Sequence, residues 1–342
     1  MMVAMKKKVC FFTTVSEKNI AFENYTIQDI QILKELGYEV VFANKFLNIP
    51  INCDLYFTWW ASGSVIPLIK SLLFKIPMIC VAGGNEVMIH RDSISNKSYG
   101  YIEYPFYKKL AVRLVLKFSK QIIVVSNFML KDLVLKYAYN PVVIHNCVNN
   151  NIFKPVFKKS DYVLSIFKLD EHVINLKRGY TYLYAIAEVI KKIPDQRFFI
   201  IGRKGNGYEN FVKLIKKLNI TNNVIILGEI ENSQINKWVQ NAQLYVQLSD
   251  TETFGLAIAE AMSCATPVLV SSCGAIPEIV GSSGIYVDHN SVPSVSLAII
   301  NFLEKNLDEK IQIGKNLSKR ISDNFSYERR KSELNNLITQ II

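Results

Sequence analysis

Leu244-Tyr245-Val246-Gln247-Leu248-Ser249-Asp250-Thr251-Glu252-Thr253-Phe254-Gly255-Leu256-Ala257-Ile258-Ala259-Glu260-Ala261-Met262 runs from a short apolar strand through a polar loop into a helix. That order is the repeating step of open α/β sheets, where ligands sit beyond the carboxyl ends of the strands, so the loop Ser249 to Phe254 is expected there. Gly255 lets the backbone come close to a ligand, and the N–H groups of the new helix favour an anion such as a diphosphate. Glu252 lies just before the helix and Glu260 two turns into it. Ionised carboxylates accept hydrogen bonds from hydroxyl groups, so the two could hold one extended ligand at two points. Taken alone, the same spacing suits a solvated helix face better.

Working outward, short runs rich in Val, Ile and Phe recur along the chain. They predict strands near Val9 to Phe12, Val40 to Phe42, Leu55 to Phe57, Met78 to Val81, Ile122 to Val125 and Val142 to Ile144. A second set follows near Val163 to Phe167, Phe198 to Ile201, Val224 to Leu227, Leu244 to Leu248, Val268 to Val270 and Ile285 to Val287. Near-continuous apolarity, without alternation, indicates parallel strands buried on both faces. Amphipathic segments lie between them: Ile27 to Leu36 stops at Gly37, and Ser126 and Asn127 can cap a helix running to about Tyr137. Two doubly wound α/β domains follow. The polar stretch Asn149 to Lys159 supplies a boundary, which divides the chain into residues 1–152, 153–325 and a final helix, 326–342.

The chain has 342 residues, half of them apolar, enough for two cores. No run approaches the roughly 18 apolar residues of a membrane span, and Val9 to Val15 behind Lys6, Lys7 and Lys8 lacks a cleavage site of the signal-peptide kind. A cytoplasmic protein is expected, with an inner-membrane-face location left open. The six cysteines form no C-x-x-C pair or zinc-spaced cluster and read as reduced thiols. Lys and Arg outnumber Asp and Glu by 40 to 29, with 17 against 10 in residues 1–152. This excess speaks to anionic partners and leaves the fold open. No nucleic-acid recognition motif accompanies it.

The block Ser249 to Glu278 resembles the signature of the family-4 retaining glycosyltransferases, matched at Glu252, Phe254, Gly255, Glu260, Ala261, Met262, Pro267, Val268, Gly274 and Glu278. Ala265 stands where that family usually has Gly. The resemblance implies the GT-B fold: α/β, with two facing Rossmann-like, doubly wound domains and an interdomain cleft. The N-terminal domain would bind the acceptor and the C-terminal one a nucleotide-diphosphate sugar. It further implies that Glu260 bonds the ribose hydroxyls and that Glu252, with the backbone at Phe254 and Gly255, contacts the donor sugar and phosphates. Thr253 and Leu256 flank those contacts and join the expected donor-binding set. Tyr162 to Gly179 resembles the family's cationic segment, with Lys168 where Arg is usual and Lys177-Arg178 ahead of Gly179. Fixed cations there would stabilise charge on a departing diphosphate, and they can replace a metal ion, so no metal and no cofactor is expected. Gly202 resembles a Gly-rich turn facing the donor, and Ile230 lies in the segment that lines the base pocket.

In the first half, Gly83-Gly84-Asn85-Glu86-Val87 is similar to a G-G-x-D-V element of part of the family. Asn85 and Gly84 are expected on the acceptor side and Glu86 as a base, a capped turn being the other reading. His90 is expected at the surface. The loop Thr13 to Glu17 lacks the glycines usual after the first strand. Phe325-Ser326-Tyr327-Glu328 resembles the element from which a last helix crosses back to the first domain. Lys109, Arg113, Lys117 and Lys120 share one face of a helix from about Tyr104 to Lys120, with Tyr107, Leu110, Leu114 and Phe118 on the other. Such a helix can lie against anionic lipid or pack on its own domain with solvated lysines outside. The expected activity is retaining transfer of a sugar to a glycan, lipid-linked or other acceptor. An epimerase or hydrolase on the same scaffold and a non-catalytic sugar-nucleotide-binding partner subunit are the alternatives.

Overall fold

Branched and aromatic residues suit a pleated surface covered on both faces, and the apolar runs close into two parallel sheets. The computed structural model describes residues 6–15, 24–91 and 98–342. The end of the loop Thr13 to Glu17 lies outside them. The chain divides into two compact units, Met1–Cys147 with Tyr327–Ile342, and Val148–Ser326.

The N-terminal unit contains β1 (Lys8–Phe12), β2 (Glu39–Ala43), β3 (Leu55–Trp59), β4 (Met78–Val81), β5 (Ile89–Arg91), β6 (Ser98–Gly100), β7 (Gln121–Val124) and β8 (Val142–Val143). The sheet order is β2-β1-β3-β4-β7-β8, every pair parallel. Strands β2 and β3 flank β1, so the chain reverses its winding there and the unit's ligand position falls at the carboxyl ends of β1 and β3. β5 and β6 form a separate antiparallel hairpin that the apolar pattern does not announce. The helix Asn24–Glu35 ends at Gly37, whose φ of +93° closes the turn. The helix expected from Asn127 to Tyr137 breaks in two, Asn127–Leu130 and a 3-10 turn Leu133–Tyr137. Asp132 causes the break: its carboxylate accepts from Val134 N (2.9 Å) and from Ile89 N (2.7 Å) of the hairpin. The last helix, Tyr327–Thr339, belongs to this unit and is anchored by Arg330, which pairs in bidentate fashion with buried Asp29 at 2.6 and 2.8 Å.

The cationic helix spans Phe106–Phe118, and its core-facing stripe is Val112, Val115 and Leu116. Tyr107, Leu110 and Phe118 are therefore exposed, not turned inward as packing of that face on the domain would require. The inward stripe at i, i+3 and i+4 is set by the branched residues, which leaves the aromatic positions beside the cations.

In the second unit, β9 (Ser160–Ile166), β10 (Arg197–Ile201), β11 (Val224–Gly228), β12 (Ala242–Gln247), β13 (Val268–Ser271) and β14 (Ile285–Val287) line up as β11-β10-β9-β12-β13-β14, again all parallel. Its core gathers Val163, Phe198, Leu244 and Leu269, each fully buried, from the strands. Leu183, Ile186, Phe211 and Ile299 cover them from the helices.

Candidate active site

In the second unit the winding reverses between β9 and β12, so the carboxyl ends of those strands mark the ligand position. Lys168 follows β9 there and is exposed. After β12 comes the loop Leu248 to Gly255, which opens the helix Leu256–Ser263. Gly255 adopts a φ of +92°, a left-handed conformation that favours glycine. The helix N-terminus thereby begins abruptly beyond the sheet.

Glu252 Oε1 accepts hydrogen bonds from Gln247 Nε2 (2.6 Å) and Ser249 Oγ (2.8 Å) and is ion-paired with Lys177 Nζ. The two charged side chains are 15% and 17% exposed, so the pair lies near the surface but is not freely solvated. From behind, Gly274 (φ +62°) presses on the Glu252 backbone: a Cβ on Gly274 would meet Glu252 N and O at 2.5 Å. Ala275 N donates to Glu252 O at 2.8 Å, so the motif glycine serves to let two loops touch. Glu260 is 5% exposed on the inner side of its helix. Burial and the charges of Glu252 and Glu260 together push the buried Tyr245 phenol well above its ordinary range. Both carboxylates thus bear on one residue of β12. The phenol donates to Gln247 Oε1 at 2.6 Å, which orients the Gln247 amide toward Glu252.

Arg178, expected with Lys177 as a diphosphate cation, is turned inward. Its backbone is left-handed (φ +51°) and Nη2 meets Asp250 Oδ1 at 3.0 Å, with the side chains 5% and 2% exposed. His289 Nε2 lies 2.9 Å from the same oxygen, and this hydrogen bond, with Cys273 at 3.8 Å, raises the imidazole to about 9. Neither Asp250 nor His289 was singled out by sequence reasoning. Asp250 stands two residues before Glu252 in the motif, which is the one local signal for it.

The remaining expected donor residues fall into two groups. Thr253 and Leu256 are half-buried at the start of the helix, and Ile230 is half-buried in the loop after β11. Phe254 and Gly202 have packing roles. Phe254 is buried edge-on against Phe325, centroids 5.7 Å apart, so only its backbone is available to a ligand. A Cβ on Gly202 would lie 1.8 Å from Phe167 O, so glycine is required where the end of β10 meets the end of β9. A cavity of about 150 Å³ between Phe157, Lys159, Pro267, Leu307 and Lys310 lies at the opposite, amino end of the sheet. Lys159 Nζ donates there to Gln240 O, Cys264 O and Thr266 Oγ1 at 2.8, 3.0 and 2.8 Å, a structural use of the charge.

In the N-terminal unit, Gly84 is buried and Asn85 exposed after β4. Glu86 is 4% exposed, and burial raises its carboxyl to about 7 against the pull of backbone N–H groups at Glu86, Ala61 and Gly84. His90 is buried, contrary to expectation, with Nε2 2.9 Å from Asn85 Oδ1 and its ring beside Tyr99. The hairpin carries it inward.

Residues 151–320, nearly all of the second unit, match the family model described as glycosyl transferases group 1. The chain belongs to that family. Over 92% of its length it is 22% identical to the N-acetyl-alpha-D-glucosaminyl L-malate synthase of Bacillus anthracis, covering 81% of that protein. An uncharacterized glycosyltransferase of Methanocaldococcus jannaschii is 26% identical over 78% of this chain and 69% of its own. Among solved structures, sucrose-phosphate synthase of Thermosynechococcus elongatus superposes with a TM-score of 0.78 at 16% identity, over 98% of this chain and 99% of that one. Anabaena HepE in complex with UDP and glucose gives 0.73 at 17%, over 98% and 100%. These likenesses show the fold of this group 1 glycosyltransferase, which is GT-B.

Proposed function

We propose that this glycosyltransferase is a retaining enzyme of family 4 that works without a metal ion and moves a sugar from a nucleotide-diphosphate donor to an acceptor. The observation that carries the proposal is the grouping of Glu252, Lys177 and the helix opened by Gly255 at the winding reversal of the second unit. In this reading the diphosphate lies at the helix N-terminus, where N–H groups and the helix dipole favour an anion. Lys177 and Lys168 take up the negative charge that grows on the diphosphate as the glycosidic bond breaks, which is the contribution a fixed cation makes to a transition state. Glu260 holds the ribose hydroxyls. Glu252, braced by Gln247 and Ser249, holds the donor sugar. Arg178 acts at one remove: through Asp250 it fixes the loop on which Glu252 stands. Glu86 accepts a hydrogen bond from the acceptor hydroxyl.

HepE is solved with UDP and glucose, so uridine diphosphate sugars are the first donors to test. The wild-type protein should be stabilised by one nucleotide sugar of a UDP, GDP and ADP panel and turn it over in excess EDTA, giving a product of unchanged anomeric configuration by NMR. Glu260→Ala should lose donor stabilisation and at least about 100-fold in turnover with an unaltered circular-dichroism spectrum. Unchanged transfer by that variant would sink the assignment.

The acceptor side includes a contact with anionic membrane. Phe106 and Tyr107 are 78% and 70% exposed on the helix that also presents Lys108, Arg113 and Lys117, a mixture of apolar and cationic groups suited to a lipid surface. No helix among the described residues is long and apolar enough to cross a membrane. Salt-sensitive cosedimentation with vesicles containing phosphatidylglycerol, lost when Lys109, Arg113, Lys117 and Lys120 are all replaced by Gln, is the expected result. Equal binding to neutral vesicles would refute it.

A further inference from the structure

The winding reversal of the N-terminal unit lies at the carboxyl ends of β1 and β3, and the residue that follows β3 is Trp60. Its φ is +71°, a left-handed conformation that bulky residues rarely adopt and that persists only where the surroundings over-determine it. The surroundings do so here. Trp60 N donates to Val81 O at 3.1 Å, and Trp60 O accepts from Gly63 N, Ser64 N and Ser64 Oγ at 3.1, 3.1 and 2.9 Å. Gly63 in turn is pressed against the loop after β1, for a Cβ on it would lie 2.3 Å from Thr14 Cγ2. Glycine would fit the turn without strain, yet the chain holds an indole there.

That indole is only partly buried, and Tyr25 meets it edge-on, with centroids 5.7 Å apart and rings at 88°. Beside it runs the turn Gly83-Gly84, shaved to make room. A Cβ on Gly84 would fall 2.4 Å from Trp60 Cζ3 and 2.8 Å from Glu86 Oε2, so the indole and the carboxyl approach the same point. Glu86 Oε1 is buried and has no hydrogen-bond partner among the described residues. An unmet carboxylate oxygen in such a place calls for a polar ligand.

An aromatic face next to a hydrogen-bonding carboxyl is the recognition chemistry of a sugar ring. The C–H groups of a pyranose lie on the electron-rich π face while its hydroxyls reach a carboxyl oxygen. We infer that Trp60, with Tyr25 and the Glu86 carboxyl beside it, forms a carbohydrate subsite that takes the acceptor as a pyranose ring stacked on the indole. The inference deepens the transferase proposal and rests on its assignment of the acceptor to this unit. It narrows the acceptor to a glycan or the sugar end of a glycolipid, and it excludes an amino-acid or malate-like acid.

The full-length protein is titrated with methyl pyranosides of glucose, galactose, mannose and N-acetylglucosamine, with their octyl counterparts and with acyclic sorbitol as control. Tryptophan fluorescence and saturation-transfer NMR read the binding, and UDP binding is measured in parallel. At least one pyranoside should saturate where sorbitol does not. Trp60→Gly, which suits the left-handed backbone, should weaken that pyranoside at least tenfold, Trp60→Phe should recover part of the loss, and neither should change UDP affinity. A tighter octyl form would identify the glycolipid source, and equal affinities the soluble glycan. UDP binding by wild type without any preference for pyranoside over sorbitol, or undiminished pyranoside affinity in Trp60→Gly, overturns the subsite. Trp60-dependent pyranoside binding by a protein that binds no nucleotide would uphold the subsite and overturn the donor assignment instead.

Discussion

Lys177 and Arg178 are neighbours in sequence, both cationic, and they do different work. Lys177 reaches Glu252 near the surface of the site, whereas Arg178 is buried on Asp250. The backbone decides between them: the left-handed turn at Arg178 sends its side chain to the opposite side from that of the preceding residue. Lys177→Ala is accordingly expected to lower turnover by about 100-fold, the scale of removing one charge-stabilising donor, with no loss of stability on guanidinium unfolding. Arg178→Ala should show the reverse order of effects, a loss of about 2 kcal/mol. Its cost is below that of a wholly uncompensated buried charge because His289 still faces Asp250. Equal stability of the two variants would contradict this division. Both residues stand out in the sequence, but the fate of each depends on one dihedral angle, which no residue pattern displays.

Strands and helices were legible to within a few residues because their signals are local. A run such as Met78–Val81 is buried on both faces and is apolar throughout. At Ala265 the family resemblance leads to the expectation of a glycine, and the position that ends the helix Leu256–Ser263 has a φ of +55°. The alanine bears a left-handed strain of about 1 kcal/mol. Where local signals failed, a distant partner intervened, as when Asp132 was drawn to Ile89 of the hairpin and broke a helix. Gly202 resembles a donor-facing turn of the family, and the structure adds a packing need at the same position, where β9 and β10 end together. Gly202→Ala must therefore part Phe167 from β10, and backbone cannot yield as a flexible side chain can. We expect at least about 2 kcal/mol of destabilisation and weaker nucleotide-sugar binding, because Lys168 moves with Phe167. Wild-type affinity and melting temperature in this variant would show the glycine to be dispensable.

At the scale of the whole chain, the second unit was readable and the first was not, in keeping with a family match confined to residues 151–320. The signature of the second unit is packed into one strand, loop and helix. The first unit instead joins residues hundreds of positions apart, and Asp29 with Arg330 is the extreme case. Asp29 Oδ2 also accepts from Trp59 Nε1 at 2.9 Å, so the last helix bears on the residue next to Trp60. Arg330 further donates to Ile144 O and His145 O at 3.1 and 2.6 Å, which ties the last strand to the same charge. Arg330→Ala would leave the Asp29 carboxylate buried without its cation, at a cost of about 3 to 5 kcal/mol. Asp29→Leu with Arg330→Met, which removes both charges and keeps the volume, should recover much of that loss. If the pair does no more than hold the helix, the double variant will also restore pyranoside affinity. If Asp29 is needed to orient Trp59, stability will return while Trp59 emission and pyranoside affinity stay altered. Because the indole N–H loses its acceptor in the double variant, the second outcome is the one we expect. Denaturant unfolding and pyranoside titration of the three proteins separate the two.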